Sequence, residues 1–444
     1  MISLAAAALA SGCSKENRDV PAESAAPRSD VPLRIVLDGN DSDAESIRLA
    51  WSMTMEQPLS IELIDVAQPN VSDQIMHADV AILPQQSLGG IVSAGAATTL
   101  SESLLQDYDQ RYGKSFPAVQ EGLGKYGGEN WGLPVGAKVF ALLATDSEVE
   151  CRTWADYHDW VKLLDGKAAE PLAKSWAAAS FLNRCALTFS RSWLFNRMTM
   201  EPEIVGSDYI DALEQMKATV SLYQTQAKSP MEIWRGIRQG ELRGGIGYEL
   251  PAGISLADDS QDRPEANERP EANERPEANG GRRDGEEFDV SVFDCPMQTE
   301  TNRLWFGPQT PLAFITSGCR QTDASKAFIG WLSGGERVSS VRGQTDRFSQ
   351  TRSTMQDDTA QNETVYSRWL AGRLQTRQVV PGLILPAAEQ YYSALDEQII
   401  RCVTGDVSAV DALTAAAAAW ESITDKVGRK DQAAAWKATL GFGM

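Results

Sequence analysis

Strand-like and helix-like patterns alternate from Pro32 to Pro84, and this alternation restricts the fold more tightly than any other stretch of the chain. Leu33-Arg34-Ile35-Val36-Leu37 is a short apolar run suited to a buried strand. Asp43 to Met55 then carries helical spacing through Ile47, Ala50, Trp51 and Met55. Ile61 to Val66 supplies a second strand and Ala78 to Pro84 a third. Strands separated by helices predict an α/β protein with a largely parallel sheet, whose ligand crevice lies outside the carboxyl ends of the strands. Phe288 to Phe293 and Leu312 to Ile315 read as later strands, and Ala324 to Leu332 as a helix. The clearest helix is carboxyl-terminal: Val410, Leu413, Ala417, Trp420, Ile423 and Val427 recur at spacings of three and four, with Ser408 and Asp411 placed to cap its start.

The chain has 444 residues, 42% of them apolar, which is material for about two to three domains around a packed core. A formal charge of −20 argues against binding along a nucleic-acid backbone, where clustered Lys and Arg must displace counterions. The two histidines, His77 and His158, have no second metal ligand at helical or turn spacing, and His158 reads as a half-exposed helix residue. Ser-His and Cys-His hydrolases and HExxH zinc sites are thus poorly supplied, and neither a metal nor a cofactor is expected. Cys151, Cys185, Cys295, Cys319 and Cys402 form no CxxC pair; an oxidising compartment would allow up to two disulfides of open pairing.

Two segments stand outside the core. Met1 to Gly12 is apolar but shorter than the ~20 residues that span a bilayer, and it closes on Leu9-Ala10-Ser11-Gly12-Cys13. That is the shape of a lipoprotein signal, with Cys13 expected as the acylated new amino terminus. Residues 14–30 then read as a flexible tether with a reach of roughly 20–25 Å. Arg263 to Asn279 repeats RPEANE twice and RPEAN once more, so residues 257–287 read as a solvated loop at an exposed tip.

Several separated segments resemble, in order, one family. Asp79 to Pro84 followed by Leu88 to Leu100 is similar to its strand ending at a cleft and the helix after it. Trp131-Gly132-Leu133-Pro134-Val135-Gly136, with the strand to Thr145, resembles its entry into a first crossing strand. Thr153-Trp154-Ala155-Asp156-Tyr157, Met231 to Tyr248, Thr316 to Leu332 and Gln390 to Ile423 match further short patterns of the same family. These are the extracellular solute-binding proteins of ABC importers, in particular the sugar-binding, maltose-binding-protein-like group. The resemblance spans residues 31–427. It implies a two-lobed type II periplasmic-binding-protein fold, with lobe one at 31–140 plus 290–345 and lobe two at 146–285 plus 350–444. Crossings are expected near 138–148, 285–295 and 340–352.

The same resemblance implies a function. The chain would be a monomeric, non-enzymatic, extracytoplasmic lipoprotein that takes up a solute, a sugar or oligosaccharide first, by hinge closure and hands it to permease subunits. Sugar rings call for aromatic platforms and planar polar groups. Tyr391 and Tyr392 stand where the family has an aromatic cluster, and Tyr248 and Glu249 where it has an aromatic pocket turn. Trp305 and Phe306 precede a glycine in a segment similar to its cleft loop. Trp193 suits a platform or a core position equally. Gln85 and Gln86, and Asn40 and Asp41, follow strand ends, where an open sheet presents ligand groups. Lys138 suits an anionic ligand or, more plainly, a salt bridge with a neighbouring carboxylate. The competing readings are a polyamine, phosphate-ester or oligopeptide receptor, a lipoprotein hydrolase acting on glycans with two carboxylates, and a membrane-coupled sensor.

Overall fold

Alternation along β1 (Leu33–Asp38) sends Leu33, Ile35 and Leu37 into one apolar core and Val36 into another. A strand buried on both faces must read as a continuous apolar run, which is why LRIVL stands out in sequence. The computed structural model describes residues 30–68, 71–189, 193–225, 227–250, 287–297, 302–334, 339–342, 344–345, 347–353 and 364–441. The expected signal segment with Cys13, nearly all of the tether and the RPEANE repeat lie outside the described residues.

The principal elements after β1 are α1 (Asp41–Ser52), β2 (Leu59–Ile64), β3 (Val80–Pro84), β4 (Gly132–Pro134), β5 (Ala141–Ala144) and α2 (Trp154–Leu163). They continue with β6 (Ala168–Ala169), α3 (Ala177–Thr188), β7 (Gly244–Gly247), β8 (Ser291–Phe293), β9 (Pro311–Ile315) and α4 (Thr322–Ser333). The described chain closes with α5 (Val365–Arg373), α6 (Ala388–Val403), α7 (Ala409–Val427) and α8 (Arg429–Thr439).

The fold is mixed α/β, built on two main sheets. The first has the order β2-β1-β3-β9-β4, with β2, β1 and β3 parallel and β9 antiparallel to both of its neighbours. One face of this sheet packs on α1 and α4 through Ile47, Trp51, Phe328 and Trp331. Leu312 and Phe314 of β9 face the other core, which continues to the second sheet and its helices. The second sheet has the order β8-β5-β7-β6, and its central strand β7 is three glycines and one isoleucine. A Cβ on Gly244 would stand 2.2 Å from the Trp160 ring, so this strand is narrow because a helix lies directly on it.

Two segments join the sheets, and a third runs beside the first of them. Residues 135–140 join β4 of the first sheet to β5 of the second, and the chain returns between β8 and β9. Residues 347–349 run beside the first link: the Ala137 N–H donates to Ser349 Oγ at 2.7 Å, and the Ser349 N–H to the Val135 carbonyl at 3.4 Å. Residues 291–293, placed by the sequence reading in the first lobe, pair with β5 in the second sheet.

Candidate functional site

Register places the first group of side chains. Gly247 of β7 stands opposite Ala141 of β5 in an antiparallel pair, so the next residues outward, Tyr248 and Phe140, leave the sheet side by side. Their rings lie 6.1 Å apart and 12° from parallel. Trp176, just before α3, meets both: 6.0 Å and 67° to Tyr248, 6.3 Å and 58° to Phe140. Phe140 is buried, whereas Trp176 and Tyr248 are half-buried. Among the described residues no group accepts a hydrogen bond from the Trp176 indole N–H.

Two charged residues complete the group. Lys138 Nζ sits 5.1 Å from the Tyr248 ring centroid and donates to the Glu249 carbonyl at 3.1 Å. Thr364, the residue capping α5, donates from Oγ1 to Glu249 Oε2 at 2.5 Å and accepts the Ser367 N–H at 3.0 Å. Burial pushes the Glu249 carboxyl above its ordinary value; the Thr364 bond and the Lys138 charge oppose that shift without cancelling it. Behind the rings the link is pinned. The Tyr366 hydroxyl accepts the Val139 N–H at 3.2 Å and donates to its carbonyl at 2.7 Å, and the Cys295 thiol donates to the Phe140 carbonyl at 3.3 Å.

A second polar group lies at the carboxyl end of β1. Arg347 Nη1 stands 3.8 Å from Asp38 Oδ2, its Nε donates to Asp43 Oδ2 at 3.3 Å, and the Thr345 hydroxyl donates to Asp43 Oδ1. Burial raises the Asp38 pKa, against the pull of Arg347. A Cβ on Gly136 would come within 2.7 Å of the Arg347 carbonyl, so this group abuts the start of the link.

Of the residues expected from sequence, Lys138, Tyr248 and Glu249 converge. Asn40 is instead the α1 cap, accepting the Asp43 N–H at 2.9 Å in a capping box, and Asp41 is exposed in the first turn. Gln85 and Gln86 follow β3 as expected but are buried. Gln85 Nε2 donates to the Gly122 carbonyl at 3.1 Å, and its Oε1 has no partner among the described residues. Tyr391 and Tyr392 are corrected to core residues. Tyr391 is 0% exposed, packs on Phe195 and Trp420, and shares a 2.9 Å hydrogen bond with Thr424 Oγ1. The Tyr392 hydroxyl accepts the Leu383 N–H at 3.2 Å. Trp305 and Phe306 are buried too, Trp305 lining a cavity of ≈ 20 Å³ beside Phe140. Trp193 is half-buried and spends its indole N–H on the Pro381 carbonyl at 2.7 Å.

No family model matches this chain, and no curated protein does. The site therefore rests on its own geometry. Phe140, Trp176 and Thr364 escaped the sequence reading. Phe140 was legible, two residues beyond Lys138 at the mouth of a strand. Trp176 was not, since it follows a non-periodic loop. Among the described residues no three His, Cys, Asp or Glu side chains are placed to hold a metal, no disulfide joins the five cysteines from Cys151 to Cys402, and no helix is long and apolar enough to cross a membrane.

Proposed function

We propose that this chain is the solute-binding lipoprotein of an ABC importer, a two-lobed type II binding protein holding an uncharged sugar or oligosaccharide beside the segments that join its sheets. The observation that carries this reading is the aromatic trio. Trp176 offers a half-buried ring and a donor N–H, the pair of features that suits the C–H face and hydroxyl rim of a sugar. Its charged neighbours support a neutral ligand over a polyamine or phosphate ester. Lys138 and Glu249 are engaged with protein groups and Arg347 faces two aspartates, so neither sign of charge is left in clear excess. The sheet order, three parallel strands with β9 inserted antiparallel and linking segments between two sheets, suits lobes that move as units.

Thermal unfolding with panels of neutral sugars, polyamines and phosphate esters tests this. A neutral sugar at a hundredfold excess over its Kd should stabilise the protein by about 2.7 kcal/mol and be recovered intact. Stabilisation by the charged panels alone would sink the proposed ligand class, and cleavage of a glycan would replace a receptor with a hydrolase.

A further inference from the structure

We infer that Asp396 is a positioning residue: from α6 it grips the backbone on both sides of Trp176 and holds that ring in the trio. The inference rests on the proposed sugar site and names what sets its stacking platform. Asp396 is 5% exposed and belongs to neither the aromatic group nor the polar group at the end of β1. Its Oδ2 accepts the Ser175 N–H at 2.8 Å and its Oδ1 the Ala178 N–H at 3.0 Å. One carboxylate thus spans the residues immediately before and shortly after Trp176. The first turn of α3 would otherwise leave N–H groups unsatisfied, and a negative charge there is favourable.

The joint it holds is strained. Ser175 has φ of 74°, a left-handed conformation that a serine leaves readily unless its surroundings fix it. Trp176 follows at φ −116° and ψ −25°, its own N–H bonded to the Ala173 carbonyl at 2.9 Å. The ring direction is therefore decided by a strained serine and a buried acid on another helix. Releasing the Asp396 grip lets the 174–176 backbone relax and turns the indole away from Tyr248 and Phe140.

Fluorine NMR of 5-fluorotryptophan-labelled protein, with the Trp176 line assigned by Trp176→Phe, tests this together with titration of the neutral sugars. Asp396→Asn should shift or broaden the Trp176 line and weaken sugar binding about tenfold, and it should add nothing to the loss in Trp176→Ala. Ser175→Gly suits the observed φ, so it keeps or raises the melting temperature. It should leave the Trp176 line in place, and combined with Asp396→Asn it should recover part of the shift that Asp396→Asn causes alone. An unmoved Trp176 line in Asp396→Asn would overturn the inference, as would independent, multiplying losses from Asp396→Asn and Trp176→Ala. If no sugar binds the wild type, the proposed ligand fails, while the fluorine line still decides whether Asp396 positions the ring.

Discussion

Asp79 shows how much one side chain can hold. It accepts from Arg34 Nη2 at 2.8 Å, Arg34 Nε at 3.0 Å, the Arg34 N–H at 3.1 Å and the Arg320 N–H at 2.8 Å, joining β1 to the turn before α4. Burial pushes its carboxyl up, but these bonds together outweigh burial and its pKa ends below the ordinary 3.8. A carboxylate with a depressed pKa contributes stability above its unfolded pKa and loses it as the pH falls through the folded one. Asp79→Ala should therefore cost about 2–4 kcal/mol at pH 7, and the gap from wild type should close only below about pH 4. Denaturant melts across that range check both the size and the sign. At this scale the sequence was a partial guide. Lys138, expected from its place just inside the first crossing strand, and Tyr248 and Glu249, expected from the resemblance, stand together in the structure. Tyr391 misled, although its spacing with Leu395 and Ile399 already marks it as the buried stripe of a helix.

Elements were far more legible than side-chain roles, because periodicity reports burial and burial shapes elements. The expected helix at the carboxyl end is α7, and Ser408 accepts the Asp411 N–H at 3.1 Å as its cap. Ser408→Ala should lower stability by about 1 kcal/mol, read as a shift in urea midpoint at unchanged slope. β1, β2, β3 and β9 lie within two residues of their expected positions; β1, β3 and β9 are buried on both faces, and β2 keeps its apolar pattern although mostly exposed. Trp176 had no such signal. Half-exposed and held from a distant helix, it belongs to no repeat that one stretch of sequence could display.

At the scale of the whole molecule, the parallel core was readable and the partner of its third strand was not. Nothing local tells β9 that its neighbours are β3 and β4; only the assembled sheet does. Pairs such as Leu83 with Leu312 and Leu133 with Ala313 put the late strand in the interior of the first sheet, not at its rim.

That placement governs the order in which the molecule can be made. β3 ends at Pro84, yet its neighbour begins at Pro311, so a nascent chain must emerge for most of its length before the first sheet can close. Pairings this distant in sequence are slow to form. Ribosome-stalled chains ending before Pro311 should leave the amides of β1 and β3 open to hydrogen exchange, while chains long enough to carry β9 and α4 clear of the ribosome should protect them. A chain whose first sheet closes this late carries an open strand edge at β3 through most of its synthesis.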